Sequence, residues 1–225
     1  MSAVCVYTVL IGEYEELSNQ PLARSSRLPF ICLTDNPALR SDTWEMRPVE
    51  RLFPLDPIRS QRAIKIRPHE YLPDFERSLY VDNSVLLKAE PERILERCGG
   101  TSVFWLPKHS FRETVLEEFL EVERLGLDDE ARLLEQLNHY QLNAPEVLQE
   151  QVFWTAIMAR DHQDVRVPTM LDIWSAHVQR YSRRDQLSIN YPGGSSTMPV
   201  ASPMACTILA CEPARYLVFE FHGTG

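Results

Sequence analysis

Asp82 lies in the run SLYVDNSVLL over residues 78–87, between two apolar β-type stretches. A carboxylate so placed is costly to bury unless a cation or several donors meet it. In an α/β sheet, ligands collect where strands end at their carboxyl edge. One reading therefore makes Asp82 the end of a central strand, facing a ligand cleft directly or through a metal. The other makes Asp82-Asn83-Ser84 a plain strand-end turn, which all three residue types favour. A second group is Arg59, Arg62 and Lys65, spaced three apart on an expected helix and so sharing one face. Three like charges there repel unless something anionic compensates, which suits a diphosphate-binding face or a solvated basic one. Asp185, in RRDQL over 183–187, is the third. It reads as a catalytic carboxylate or as a helix N-cap. Glu150 reads as a further pocket acid or as an exposed carboxylate. His69 reads as a residue capping or packing at a helix end, while His139, His162 and His177 carry no local pattern.

The elements that must position these groups follow from apolar patterning. Residues 3–11 (AVCVYTVLI) and 28–34 (LPFICLT) are β-branched and aromatic without strict alternation, as in strands buried on both faces. Gly12 ends the first, an acidic loop covers 13–20, and Asp35-Asn36-Pro37 stops the second. A third strand is expected over 43–49, with Trp44 and Met46 on one face. Asp56-Pro57 opens a helix that runs to about Arg67 and stops before Pro68. Beyond the Asp82 strand, a short helix over 91–98 closes at Gly99-Gly100, and 102–106 is a strand. Amphipathic helices are expected over 112–125 and 128–142, their acidic runs being solvated faces. The segment 146–159 fits helix or strand, with 152–158 favoured as strand. Residues 168–181 form a helix, 184–191 a helical turn, 192–203 a loop and 216–221 a final strand. Strands alternate with helices, so the expected fold class is α/β with a mostly parallel sheet in a single domain over 1–225.

The composition narrows what such a fold can do. The chain has 225 residues, 44% hydrophobic and 24% charged, with net charge −9 and pI near 5.2. That balance argues against coating nucleic acid, because phosphate backbones need a cationic face. Five scattered cysteines (Cys5, Cys32, Cys98, Cys206, Cys211) suggest free thiols in a reducing compartment, not a disulfide framework. No apolar run is long enough to span a membrane, and none resembles a signal core. A cytoplasmic location is the expectation.

Several pieces stand in a particular order along the chain. They are Val6-Tyr7-Thr8 with Gly12 and Tyr14; Phe30 to Asn36 (FICLTDN) and then Trp44; Asp56-Pro57 with Arg59, Arg62, Lys65, Pro68-His69 and Leu72-Pro73; Ser78, Tyr80 and Asp82; His109 with Arg112; and Arg184-Asp185-Gln186-Leu187-Ser188. This set, covering about residues 4–191, resembles the TOD/MUCI-type glycosyltransferase-like domain. Through that family it resembles GT-A nucleotide-diphospho-sugar transferases. Residues 192–225 match nothing in the pattern.

The resemblance implies a GT-A-like, Rossmann-like sheet flanked by helices. It also implies transfer of a sugar, of hexosyl type with retention, from a nucleoside-diphosphate donor such as a UDP-sugar to a hydroxyl acceptor. A glycan acceptor would place the chain in polysaccharide biosynthesis. Tyr7, Thr8, Asp35, Arg62, Lys65, Asp82 and Asn83 would bind the nucleotide sugar. Asp185 and Gln186 would be catalytic, and His109 and Arg112 would meet acceptor or phosphate. Asp82 would start a DXD-like motif for Mn²⁺ or Mg²⁺, with Ser84 where the second acid belongs and His222 as a late ligand. Hard cations prefer several oxygen ligands, more than one of them a carboxylate, so Ser84 is a weak substitute. Two alternatives stand beside this reading: a nucleotide-sugar-binding module with reduced catalysis, and a metal phosphoesterase using Asp82 with His109.

Overall fold

The structure is a computed structural model that describes residues 3–98, 103–191, 200–201, 206–211 and 216–221. Its main sheet is built from β1 (Val4–Leu10), β2 (Phe30–Thr34), β3 (Glu45–Pro48), β4 (Arg77–Val81), β6 (Phe104–Trp105), β7 (Ile157–Asp161) and β8 (Val200–Ala201), in the order β3-β2-β1-β4-β7-β6-β8. The first four are mutually parallel, β7 is antiparallel to both its neighbours, and β8 is parallel to β6. A smaller sheet places β5 (Val85–Leu87) beside β10 (Tyr216–Phe221) and β9 (Cys206–Cys211).

The lack of alternation in β1 is explained by two buried faces. Cys5, Tyr7 and Val9 enter one core, and Val6 and Leu10 the other. The first core packs beneath α1 (Pro57–Ile66) and α6 (Arg166–Arg180) through Ile64, Met170, Leu171 and Trp174. The second packs beneath α3 (Pro91–Arg97) through Ile94 and Leu95, with Trp44 and Met46 both against it. A third gathers α4 (Val115–Arg124), α5 (Glu130–Asn143), the 3-10 turn Pro145–Gln149 and Leu187. Each large apolar side chain so buried contributes about 1.5–3 kcal/mol relative to exposure.

Local signals set the boundaries. The Asp56 carboxylate accepts the Arg59 amide at 2.9 Å and Pro57 takes the first helical position. Thr114 and Glu117 form a capping box at α4, and Asp129 caps α5.

Several expectations need correction. Residues 85–87 do not resume the Asp82 strand. The Asp82 carboxylate accepts the Ser84 amide (3.3 Å) and hydroxyl (3.1 Å), closing a turn that sends β5 into the smaller sheet, parallel to β10. The strand expected over 152–158 starts at Ile157 and ends at Asp161, because its partner β4 ends at Val81, opposite Ile157. Arg67 breaks from α1 before Pro68, as expected, but Pro68–Tyr71 then forms a further turn of helix, α2. Strand β9 had no counterpart in the sequence reading. Ser102, Gly99-Gly100, His222, and residues 192–199 and 202–203 of the expected loop lie outside the described residues. No helix among those described is long and apolar enough to cross a membrane.

Candidate functional site

The polar groups gather where β1, β2 and β4 end. The first contributor is α1, whose Arg62 and Lys65 point away from solvent. Lys65 is buried, its ammonium 2.5 Å from Asp185 Oδ2 and 3.4 Å from the Thr155 hydroxyl, 4.8 Å from the Tyr80 ring centroid. Arg62 places Nε 3.4 Å from Asp185 Oδ1, while its buried Nη1 has no hydrogen-bond partner. Arg59 leaves the group: it pairs with Asp56 and donates to the carbonyls of Val178, Gln179 and Tyr181 at the end of α6. The three cations therefore do not form one ligand face. Two converge on a carboxylate and the third closes another helix.

Asp185 is carried by a 3-10 turn, Asp185–Leu187, just after α6. The turn is pinned because the Trp174 indole N–H donates to the Asp185 carbonyl at 2.8 Å. Burial alone would raise the Asp185 carboxyl; Lys65 and Arg62 overrule it and hold the pKa at about 2. Burial pulls Lys65 below the ordinary lysine value, with Asp185 and Asp82 pulling back. Arg62 stays firmly protonated: burial opposes its charge, but Asp185 and Asp82 outweigh that.

Asp82 faces the same charges. Its Oδ2 accepts the Tyr80 hydroxyl at 3.2 Å and its amide donates to the Ala156 carbonyl. Asn83 is buried and donates to the Val9 carbonyl (3.0 Å) and to Glu15 Oε2 (2.9 Å). A cleft of about 400 Å³ opens above this turn, lined by Glu13, Tyr14, Glu15, Glu16 and Ser18 of the acidic loop together with Asn83 and Ser84. Burial raises the Tyr14 phenol, and the charges it senses are Arg62, Glu15, Asp82 and Asp185. Loop, strand end, helix and late turn thus share one electrostatic neighbourhood.

The other expected site residues are placed differently. Tyr7 and Thr8 are fully buried. The Tyr7 hydroxyl donates to the Lys65 carbonyl at 2.6 Å and Thr8 donates to Asn83 Oδ1 at 3.0 Å, so neither presents a side chain to a base. Asp35 accepts the Gly12 amide (2.9 Å) and two Arg51 donors (2.9 and 2.6 Å), which tie the loops after β1 and β3 together. Gln186 donates to buried Glu118 at 3.0 Å, and Glu118 also pairs with Arg112. His109 is 6% exposed and stacks on Trp154 with centroids 3.9 Å apart; its Nδ1 accepts the Phe111 and Arg112 amides. Burial and the neighbouring Arg112 push it down to about 3. Both His109 ring nitrogens have partners, and Arg112 Nε and Nη2 are taken by Glu118 and His109. Glu150 accepts Asn190 at 3.0 Å.

Sequence reasoning missed Glu118, Thr155, Tyr80 and Glu15. Glu118 carried a usable signal: Val115, Glu118, Phe119 and Val122 share the inner stripe of α4. Tyr80 stood in the Ser78, Tyr80, Asp82 motif and joins through Asp82, two residues on, while Thr155 and Glu15 join through contacts distant in sequence.

Asp82 offers a cation one carboxylate and the Ser84 hydroxyl. It belongs to no group of three ligating His, Cys, Asp or Glu side chains among the described residues. Such a group does occur at His69, Glu70 and Asp172, with ligand atoms within 4.8 Å of one another. It lies toward the amino end of β4, where His162 meets both Ser78 and the His69 ring, and Arg67 already pairs its carboxylates. Among the described residues, those around Asp82 do not by themselves make a hard-cation site.

The model of the TOD1/MUCI70 glycosyltransferase-like domain family matches residues 33–219. No curated protein sequence matches the chain. Among solved structures, the bifunctional glycosyltransferase WbbM in its apo form superposes with TM-score 0.51 at 11% identity, over 85% of this chain and 37% of that one. The chain thus spans little more than a third of WbbM. Core-mannan synthase A from Aspergillus fumigatus, in its Mn/GDP form, superposes with TM-score 0.50 at 10% identity, over 86% of this chain and 69% of that one. Identities this low speak to fold alone, and the fold is that of the GT-A glycosyltransferases.

Proposed function

Because the chain belongs to the TOD1/MUCI70 glycosyltransferase-like domain family, we propose that it moves a sugar from a nucleoside-diphosphate donor to a hydroxyl of a glycan. The observation that carries this reading is Arg62: a buried guanidinium with an unpartnered Nη1, beside a buried Lys65, at the carboxyl edge of the sheet. Leaving a buried donor without an acceptor costs about 1–3 kcal/mol, and more when the donor is charged, a cost that an incoming phosphate oxygen removes.

In this reading the diphosphate settles against Arg62 and Lys65, displacing part of their attachment to Asp185. As the glycosidic bond breaks, charge grows on the leaving diphosphate, and the fixed cations stabilise it there. Asp82 and the Asn83-Ser84 turn face the sugar from the cleft side. With a pKa near 2, Asp185 is ionised throughout the neutral range. With the two cations in place it is an ion-pair partner and not an acid. Its part is to orient the two cations and to accept from sugar hydroxyls, with Gln186 beside it held by Glu118.

Calorimetric titration of UDP and GDP into wild type, Arg62→Ala and Lys65→Met tests the reading. Wild type is expected to bind at least one of the two, with each substitution weakening binding about tenfold or more, the scale of a charge-assisted phosphate contact. Unchanged affinity in both variants removes the proposed diphosphate site. Incubation with UDP-hexoses, followed by NMR of the released or transferred sugar, reports the activity and its anomeric outcome.

A further inference from the structure

Donor binding as proposed draws Lys65 and Arg62 partly off Asp185. Asp185 is only 5% exposed, and a buried carboxylate stripped of its cations is costly. The diphosphate binds well only if another cation closes on Asp185 as the first two leave it.

Most cations around the late turn are already committed. Arg59 holds Asp56 and the carbonyls at the end of α6. Arg183 pairs with Asp128 at 3.0 Å and with Asp56 at 3.6 Å. Arg160, 1% exposed, donates to the carbonyls of Lys65 (3.0 Å) and Ile66 (2.8 Å) and to the Tyr7 hydroxyl. Arg112 pairs with Glu118.

Arg184 differs. The carboxylates beside it, Asp185 and Glu118, pair with Lys65, Arg62 and Arg112, and Arg184 forms no ion pair among the described residues. Its Nε is buried without a hydrogen-bond partner. Its backbone is fixed at the start of the 3-10 turn: the amide donates to the Ser182 hydroxyl at 3.1 Å, and the carbonyl accepts the Leu187 amide at 3.1 Å. Its Cα is one residue, about 3.8 Å, from that of Asp185, and Gln186 ties the same turn to Glu118 at 3.0 Å. The Arg184 charge reaches both acids. Burial raises the Asp185 carboxyl while Lys65, Arg62 and Arg184 pull it down, and burial raises Glu118 against Arg112 and Arg184. A guanidinium without a carboxylate of its own, next to one that donor binding strips, is placed to replace the departing cations.

We infer that Arg184 turns onto Asp185 as a diphosphate draws Lys65 and Arg62 away, exchanging one ion pair for another so that the carboxylate keeps a cation throughout. Arg184 is then a positioning residue. It touches neither phosphate nor sugar, and acts by releasing two cations to the donor. The planar fork of a guanidinium suits a carboxylate better than an ammonium does. The exchange rests on the diphosphate site proposed above.

The test is calorimetric titration of UDP and GDP into wild type, Arg184→Ala, Arg184→Lys, Asp185→Asn, and Arg184→Ala combined with Asp185→Asn. Wild type is expected to bind at least one nucleotide. Arg184→Ala should weaken that binding about fivefold or more, and Arg184→Lys should recover part of the loss. Without nucleotide, Arg184→Ala should melt close to wild type, because it has no ion pair to lose. In Asp185→Asn no carboxylate is left to strand, so adding Arg184→Ala should change affinity by less than about twofold. A merely structural arginine would not give that coupling. Wild-type affinity in Arg184→Ala overturns the exchange. So does an equal loss in the Asp185→Asn background, which would make Arg184 a direct phosphate contact or a structural support. In both cases nucleotide binding by wild type that Arg62→Ala weakens leaves the donor reading intact. A wild type that binds neither nucleotide strikes the donor reading and takes the exchange with it.

Discussion

Replacing Asp185 with asparagine keeps the shape of the late turn and removes the charge that Lys65 and Arg62 share. The ammonium at 2.5 Å and the guanidinium at 3.4 Å then lie buried without their common counter-ion, and the Asp82 charge is left as their compensation. The intact pair is not itself a large source of stability. Asp185 gains from it, its pKa falling from 3.8 to about 2, but Lys65 is depressed by the same burial. Breaking a buried pair from one side is the expensive event, at about 3–5 kcal/mol. A chain of this size loses about 2–4 °C per kcal/mol, so Asp185→Asn should melt about 6–20 °C below wild type when unfolding is followed by circular dichroism. Lys65→Met combined with Asp185→Asn should recover part of the loss, with a coupling of about 1–3 kcal/mol. A single variant melting within about 3 °C of wild type, or a double variant whose losses simply add, would refute the buried-charge argument. The acid limb gives a second check. The folded carboxyl titrates below the unfolded one, so its contribution is complete above pH 3.8 and disappears as the pH falls towards 2. Asparagine should flatten that limb.

Other perturbations probe the supports of the site. Gly12 sits at φ +78°, and a Cβ there would lie 2.9 Å from Pro57 Cβ; Gly12→Ala should cost about 1–3 kcal/mol in urea unfolding. His109, with a folded pKa near 3 against 6.5 unfolded, favours folding fully above pH 6.5 and less as the pH falls towards 3. The urea midpoint should therefore drop across that window, and less steeply in His109→Gln. Glu118→Ala strands both Arg112 and Gln186 and should cost about 2–4 kcal/mol. Glu118→Gln keeps the acceptor for Gln186 and should cost less, as differential scanning calorimetry would register.

The sheet and most helices were legible because their signals are local. Unbroken β-branched runs marked β1 and β2, and Asp56-Pro57 marked the start of α1 to the residue. What stayed hidden depended on contacts far apart in the chain. The row Arg59, Arg62, Lys65 suggested one ligand face, yet the fold sends Arg59 to the end of α6 and supplies Arg62 and Lys65 with an internal anion. The apolar run Val85–Leu87 looked like a continued strand because periodicity cannot say which sheet a strand joins. Tyr7 and Thr8 looked like pocket residues from their place in a motif, but a strand covered by helices on both faces buries both sets of side chains. Glu118 was misread for a different reason: with Glu117, Glu121 and Glu123 around it the whole acidic run looks like one solvated face, although Glu118 lies on the inner stripe.

The span between α1 and its partners also has a consequence in time. Arg59 reaches an acceptor 120 residues downstream, and Asp185 follows later still. At about 5–20 residues per second, synthesis leaves that helix without those partners for roughly 6–24 s. A nascent chain therefore cannot pair Lys65 and Arg62 with their counter-ion until the ribosome has delivered the far turn, long after α1 and the strands on either side of it have been made.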